Sequence, residues 1–184
     1  MLQLDFSVFP TLYTDRLILR EMTAADAPAL FAMRSNPEIM KYIDRPKPAT
    51  VDDIKELIQT MVLNKEKGDG ISWGIFLKKN PEVNIGNIGL FRIIAAHYRA
   101  EVGYMLSQDY HLKGIMYEAI QKVIEYGFNN MNLHSIEANI NPENTASQKL
   151  LEKAGFVREA YFKENYYFNG KFLDSAIYSL VNKL

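Results

Sequence analysis

The sequence predicts a mixed α/β domain, and three observations carry that reading. Apolar residues switch along the chain between a helical spacing of about 3.6 residues and the alternation of strands. Three consecutive short segments, ISWGIFLKK, NIGNIGLFRI and YRAEVGYMLS, read as an antiparallel meander, with turn residues between the first two and a polar connection before the third. The chain closes with two β-rich runs on either side of Asn169-Gly170, a pair favoured in tight hairpin turns because both positions accept positive φ.

The elements follow in order. Residues 16–20, RLILR, are rich in branched apolar side chains and read as a strand. From Thr23, a candidate N-cap, the spacing of Ala27, Leu30, Phe31 and Arg34 is helical. The stretch DRPKPAT at 44–50 is a loop because its two prolines forbid regular pairing, and Thr50 caps the next helix, whose stripe is Ile54, Leu57, Ile58, Met61 and Val62. KGDG at 67–70 ends it, and the meander comes next. A long amphipathic helix then begins near Gly114, with Ile120, Val123, Ile124, Gly127 and Phe128 on one face. LHSIEANI is a strand by the alternation of Ile136, Ala138 and Ile140. In NPENTASQKLLEKAGF, Asn141 can cap, Pro142 suits the first helical position and Gly155 suits a left-handed stop, which predicts a helix over 142–154. FVREAYFKE and KFLDSAIYSLV form a terminal hairpin.

Composition limits the function. The 184 residues suit a single domain with room for a proper core. With 21 Lys and Arg against 22 Asp and Glu, the formal charge is -1, so no uniform field draws the chain to nucleic acid and any anion site is local. The absence of cysteine removes a disulfide framework, a thiolate nucleophile and a Cys-based zinc site. No run reaches the roughly 18 apolar residues that span a bilayer, and the N-terminus lacks a basic residue ahead of its apolar patch. The expectation is a soluble, unprocessed, cytoplasmic protein without a membrane partner.

Few residues invite chemistry. In YHLKGIM, Gly114 precedes a helix whose N-terminal N–H groups could receive a phosphate, with Lys113 as a mobile charge; the same glycine could be only a flexible joint. Asn144 and Ser147 lie three apart and share a helix face, either turned into a cleft or engaged locally with backbone. Glu101 shares a strand face with Gly103 and Met105, opposite Val102, Tyr104 and Leu106, and could be a base or a half-exposed strand residue. Glu137 presents the same choice. His97, His111 and His134 show no metal spacing, so no metal is assigned. Trp73, Tyr161, Tyr166 and Tyr167 could line a slot, although packing on a sheet is the better default for strand aromatics.

Together these pieces resemble the GNAT superfamily of N-acetyltransferases, in particular its RimJ/RimL-like branch of ribosomal-protein N-terminal acetyltransferases. TDRLILREMTAAD resembles the opening strand and helix, NIGNIGL and AEVGYML the central strands, YHLKGIMYEAIQKVIEYGF the acetyl-CoA motif, and NPENTASQKLLEKAGF the Asn-x-x-Ser helix ending in Gly-Phe. The likeness spans nearly the whole chain. One departure stands in the cofactor loop, where the family's Gln/Arg-x-x-Gly-x-Gly/Ala pattern is met by His111, Gly114 and Met116.

The resemblance implies a central, mostly antiparallel splayed sheet of about six to seven strands flanked by helices, with the pantetheine arm of acetyl-CoA in the opening. Main chain near Met105, Leu106 and Ser107 would hold the arm, and the run Leu112, Lys113, Gly114, Ile115, Met116 and Tyr117 would wrap the pyrophosphate. Asn144 would bond the arm, and Ser147 would sit near the sulfur and protonate the thiolate. Glu101, through water, would be the base; the branch can carry a carboxylate before its Tyr-x-Asn-Gly turn, where this chain has Tyr166. The acceptor would be a protein or peptide N-terminal amine, with a small-molecule amine as the rival within the class. A CoA-binding module without catalysis is the rival outside it. A homodimer using the terminal hairpin is a further expectation.

Overall fold

The computed structural model describes residues 2–183. Eight strands form one sheet in the order β1-β2-β3-β4-β5-β6-β8-β7. They are β1 (Leu12–Tyr13), β2 (Leu17–Arg20), β3 (Ile71–Leu77), β4 (Asn80–Ile94), β5 (Arg99–Leu106), β6 (Ser135–Ile140), β7 (Val157–Phe168) and β8 (Lys171–Val181). The helices are α1 (Ala27–Ser35), α2 (Pro37–Met40), α3 (Val51–Lys67), α4 (Ile115–Asn129) and α5 (Thr145–Lys153). No helix of the described residues is long and apolar enough to cross a membrane.

The two elements the sequence does not announce, β1 and α2, are both too short for periodicity to register. The first is a two-residue strand pairing Leu12 with Leu19. The second is a single turn capped by Asn36, whose side chain accepts from Glu38 N. The N-terminal helix also opens with a 3-10 turn over Ala24–Asp26 before α1.

The meander β3-β4-β5 is antiparallel as expected, and so is the β7–β8 hairpin, in which Asn169 and Gly170 take φ of 47° and 80°. Thr50 and Asp53 form a reciprocal capping box at α3, and Gly68 closes that helix in the left-handed region.

The sheet has two apolar faces. On one, α4 presses Ile115, Met116, Ala119, Ile120, Val123 and Ile124 against Leu17, Trp73, Ile88, Leu90 and Val102. On the other, α1 and α3 bury Leu30, Ile54 and Ile58 with Met22 and Met105. Full burial of one such aliphatic side chain stabilises the fold by about 1.5–3 kcal/mol. Trp73 belongs to this core. It is fully buried, donates to Pro10 O at 2.7 Å and meets Phe9 and Tyr126 edge-on.

One pairing in the sheet is parallel, and it is brief. β5 and β6 are in register only through Arg99–Ser135, Ala100–Ile136 and Glu101–Glu137. Beyond Glu101 the two strands continue without pairing, β5 to Leu106 and β6 to Ile140, so the sheet opens as a fork. Open strand edges inside a sheet carry free N–H and C=O groups, which is where an extended ligand arm can bond.

Candidate active site

The alternation of β5 decides which groups look into the fork. Ser107 N–H donates to Ile85 O at 2.8 Å on β4, so that N–H and the main-chain groups of Met105 and Gly103 point toward β4. Those of Leu106 and Tyr104 point the other way, into the opening. Of the three positions expected to hold a ligand arm, Leu106 has main chain on the fork side, with His111 Nε2 at 3.0 Å from its carbonyl oxygen. Met105 has its main chain committed to β4, and Ser107, just past the strand, gives its N–H to Ile85 O while its carbonyl accepts from Tyr110 N–H at 3.0 Å. Met105 sends its side chain into the α1–α3 core.

At the fork's mouth, α4 begins on Gly114, whose φ of 71° and ψ of 8° lie in the left-handed region, with no side chain capping the helix. The first helical bond runs from Glu118 N–H to Gly114 O at 3.1 Å. Among the described residues, the N–H groups of Gly114, Ile115, Met116 and Tyr117 have no acceptor in the protein, which is the arrangement a phosphate completes. Leu112, at φ 57°, is a second left-handed position, and its side chain is fully exposed. Met116 is 8% exposed and packs in the α4 core, so the departure from the family pattern places a side chain away from these N–H groups. Lys113 folds back instead of reaching outward: its Nζ donates to Asp109 O at 2.6 Å.

A polar brace stands behind this loop. Arg16 donates from Nε to Glu118 Oε2 at 2.6 Å and from NH1 to Lys113 O at 2.9 Å, while Arg16 N and Thr14 Oγ1 both donate to Glu118 Oε1. Burial raises the Glu118 pKa, but the hydrogen bonds from Thr14 and Arg16 and the guanidinium charge outweigh it and leave the carboxyl below its usual range.

The fork's two faces carry different chemistry. On the α4–α5 side, Tyr104 Oη lies 2.6 Å from Ser147 Oγ, and Ser147 is 6% exposed. Burial pushes the Tyr104 phenol up to about 12, with the Ser147 bond pulling the other way, so the phenol keeps its proton at neutral pH and the two hydroxyls form one hydrogen-bonded pair. Asn144 caps α5 by accepting Ser147 N–H at 3.1 Å on Oδ1. The helix therefore starts at Thr145, three residues later than Asn141-Pro142 suggested. Asn141 instead closes a local turn by accepting Glu143 N–H at 2.8 Å.

On the α1–α3 side, Glu101 and Glu137 are neighbours across the last pair of the parallel ladder. Each has its own arginine, Arg92 NH1 at 2.8 Å from Glu101 Oε2 and Arg99 NH2 at 3.2 Å from Glu137 Oε2. Arg92 also lines an open hollow of about 360 Å³ with Arg45, Asn64, Asp69, Gly70, Phe91 and Ile93. The Phe91 ring lies across Gly89 and Gly103, a facing glycine pair on β4 and β5, where a Cβ would meet it at 2.5 and 3.2 Å.

Three contacts here were not foreseen: Tyr104 with Ser147, Arg16 with Glu118, and Tyr166 Oη with the Asp44 carboxylate. The last ties β7 to the proline-rich loop before α3. Tyr161 likewise bonds Asp174, and Tyr167 packs on Phe172 with ring centroids 5.1 Å apart, so these aromatics build the hairpin surface. Among the described residues no group of three or more His, Asp or Glu side chains is placed to hold a metal ion.

A forked parallel pair inside an otherwise antiparallel sheet, with a capless helix start at its mouth, suits an extended ligand that carries phosphate at one end. A family model described as acetyltransferase (GNAT) domain matches residues 16–157. The uncharacterized N-acetyltransferase YoaA of Bacillus subtilis is 38% identical over 95% of this chain and 98% of its own. The spermidine N(1)-acetyltransferase of Vibrio cholerae is 27% identical over 86% of this chain and 89% of its own. The crystal structure of the ribosomal-protein-S5-alanine acetyltransferase of Vibrio fischeri superposes with a TM-score of 0.83 at 26% identity, covering 95% of this chain and 97% of that one. The chain belongs to the GNAT family and is an acetyl-CoA-dependent N-acetyltransferase.

Proposed function

We propose that the acceptor is the α-amine of a protein or peptide and that the reaction is run from the two faces of the fork. The observation that carries this reading is the placement of Glu101 on one face of β5 and of the Tyr104–Ser147 pair on the other.

Acetyl-CoA supplies an activated acetyl thioester, and the loop at 114–117 and the main chain of Leu106 are the groups that would hold it. Its pyrophosphate suits the free N–H groups, and its pantetheine arm suits the unpaired edge of β5. The amine arrives from the Glu101 face, where the hollow beside Arg92 is open. Glu101 has Oε2 on Arg92, which leaves Oε1 to take the amine proton through a water. The new C–N bond forms as the C–S bond breaks. Ser147 Oγ gives its proton to the departing sulfur and is resupplied by Tyr104 Oη, which regains a proton from solvent as Glu101 releases the amine proton to solvent. The products are the N-acetyl amide and the free thiol.

The choice of amine rests on acidity. An α-amine near about 7.7–8.0 offers far more neutral nucleophile at pH 7 than a lysine amine near about 10.4, which suits a site whose proposed base is already held in an ion pair. The likeness to the Vibrio fischeri S5-alanine enzyme supports this acceptor, and the likeness to the spermidine enzyme supports a polyamine as the second reading. Initial rates of thiol release with free-amine peptides, N-terminally blocked lysine peptides and spermidine separate the two. Peptides with a free α-amine are expected to lead; spermidine leading would replace the acceptor and keep the chemistry.

A further inference from the structure

Arg16 lies outside the loop that opens α4, in the turn between β1 and β2, yet it makes the contact that sets that loop's direction. Its NH1 donates to Lys113 O at 2.9 Å. The Lys113 carbonyl and the Gly114 N–H belong to one planar trans peptide unit, so they point in opposite directions. Drawing the carbonyl back toward β2 turns the Gly114 N–H outward, where the helix presents its other unpaired donors. The NH2 group stands 3.5 Å from where a Cβ on Gly114 would lie, so the guanidinium backs the glycine directly.

The arginine is itself held. Glu118, one turn into α4, accepts from Arg16 Nε, from Arg16 N and from Thr14 Oγ1. Thr14 Oγ1 in turn accepts from Leu17 N at 2.9 Å. The brace thus fastens the first strand turn to the first helical turn over a separation of 102 residues. Glu118 offsets the guanidinium charge, so the brace acts by orientation and not as an added cation.

We propose that Arg16 is a positioning residue for acetyl-CoA: by pinning the Lys113 carbonyl against Glu118 it pre-aims the Gly114 N–H, and with it the loop, at the pyrophosphate. This rests on the acetyl-CoA reading of the site. A pre-aimed anion cradle spares the ligand the ordering of the loop, and that saving shows as affinity. The effect is confined to donors that carry the diphosphate.

Calorimetric titration with CoA, together with kcat/KM for acetyl-CoA and for S-acetyl-pantetheine, which lacks the diphosphate, tests it. In Arg16→Gln the Kd for CoA is expected to rise about tenfold, the scale of one charge-assisted hydrogen bond, and kcat/KM for acetyl-CoA to fall in parallel. The value for S-acetyl-pantetheine is expected to hold. Arg16→Lys restores charge without the planar fork and is expected not to rescue. Glu118→Gln, which leaves Arg16 in place but loosens it, is expected to move the same ratio by less, and it decides the matter should Arg16→Gln fail to fold. Equal losses with both donors, or an unchanged Kd for CoA, would overturn the role of Arg16. Absence of CoA binding by the unaltered protein would instead overturn the acetyl-CoA reading.

Discussion

The hydroxyls of Tyr104 and Ser147 meet at 2.6 Å, joining β5 to α5 on the α4–α5 face of the fork. Neither hydroxyl has another hydrogen bond among the described residues, so each is the other's partner. If Ser147 is the donor to sulfur, Ser147→Ala lowers kcat by about 10²-fold or more, the usual size of a general-acid effect, while KM for acetyl-CoA changes little. Tyr104→Phe is expected to lower kcat less, because solvent can resupply Ser147. Retained turnover in Ser147→Ala would remove it from this role.

The same pair predicts an alkaline signature in stability. Tyr104 binds its proton more tightly in the folded state, up to about 12 against about 10 in the unfolded chain. Its contribution is therefore complete below pH 10 and is lost as pH rises through 12, by an amount on the order of 2–3 kcal/mol. Denaturant unfolding of Tyr104→Phe against the parent between pH 8 and 11, as about the accessible range, should show a shallower alkaline decline in the variant. Parallel declines would mean that the phenol is not held this way.

Glu101 makes a sharper kinetic prediction. With Glu101→Gln the shape of the Arg92 contact survives as a neutral hydrogen bond, but the proton acceptor is gone. The expected result is a fall in kcat of roughly 10²-fold at neutral pH, with partial recovery as pH rises and the amine deprotonates unaided. An unchanged rate and pH profile would exclude Glu101 as the base.

Gly114→Ala separates backbone from space. A Cβ there meets nothing closer than Arg16 NH2 at 3.5 Å, so the substitution fits, and its cost is the left-handed backbone alone. That cost is about 1 kcal/mol, or a loss of roughly 2–4 °C in Tm for a chain of this size. Asn at this position should cost less, because Asn visits the left-handed region more readily. A thermal melt that ranks Asn below Ala would contradict this account of the turn.

Local signals made much of the fold legible. The Asn169-Gly170 turn, the Thr50 cap, the Gly155 stop and the period change at Gly114 are all written within a few residues, and all are where the sequence placed them. The start of α5 was misplaced because Asn141 and Asn144 are both good caps, and only the Ser147 N–H decides between them. The face of β5 bearing Glu101 was readable from alternation. Its arginine was not, because Arg92 reaches it from β4, where φ of 48° breaks the regular twist. Tyr104–Ser147, Arg16–Glu118 and Asp44–Tyr166 join residues 43, 102 and 122 positions apart. No periodicity or cap encodes such pairs; they exist only once the sheet has assembled.

The central claim is that an acetyl group passes from acetyl-CoA to an α-amine. It is tested most directly by fragment mass spectrometry of one peptide carrying both a free N-terminus and a free lysine, after reaction with the protein and acetyl-CoA. The account predicts one acetyl group on the N-terminal nitrogen and an equal amount of free thiol. Acetylation of the lysine side chain alone, or no acetylated peptide at all, would contradict it.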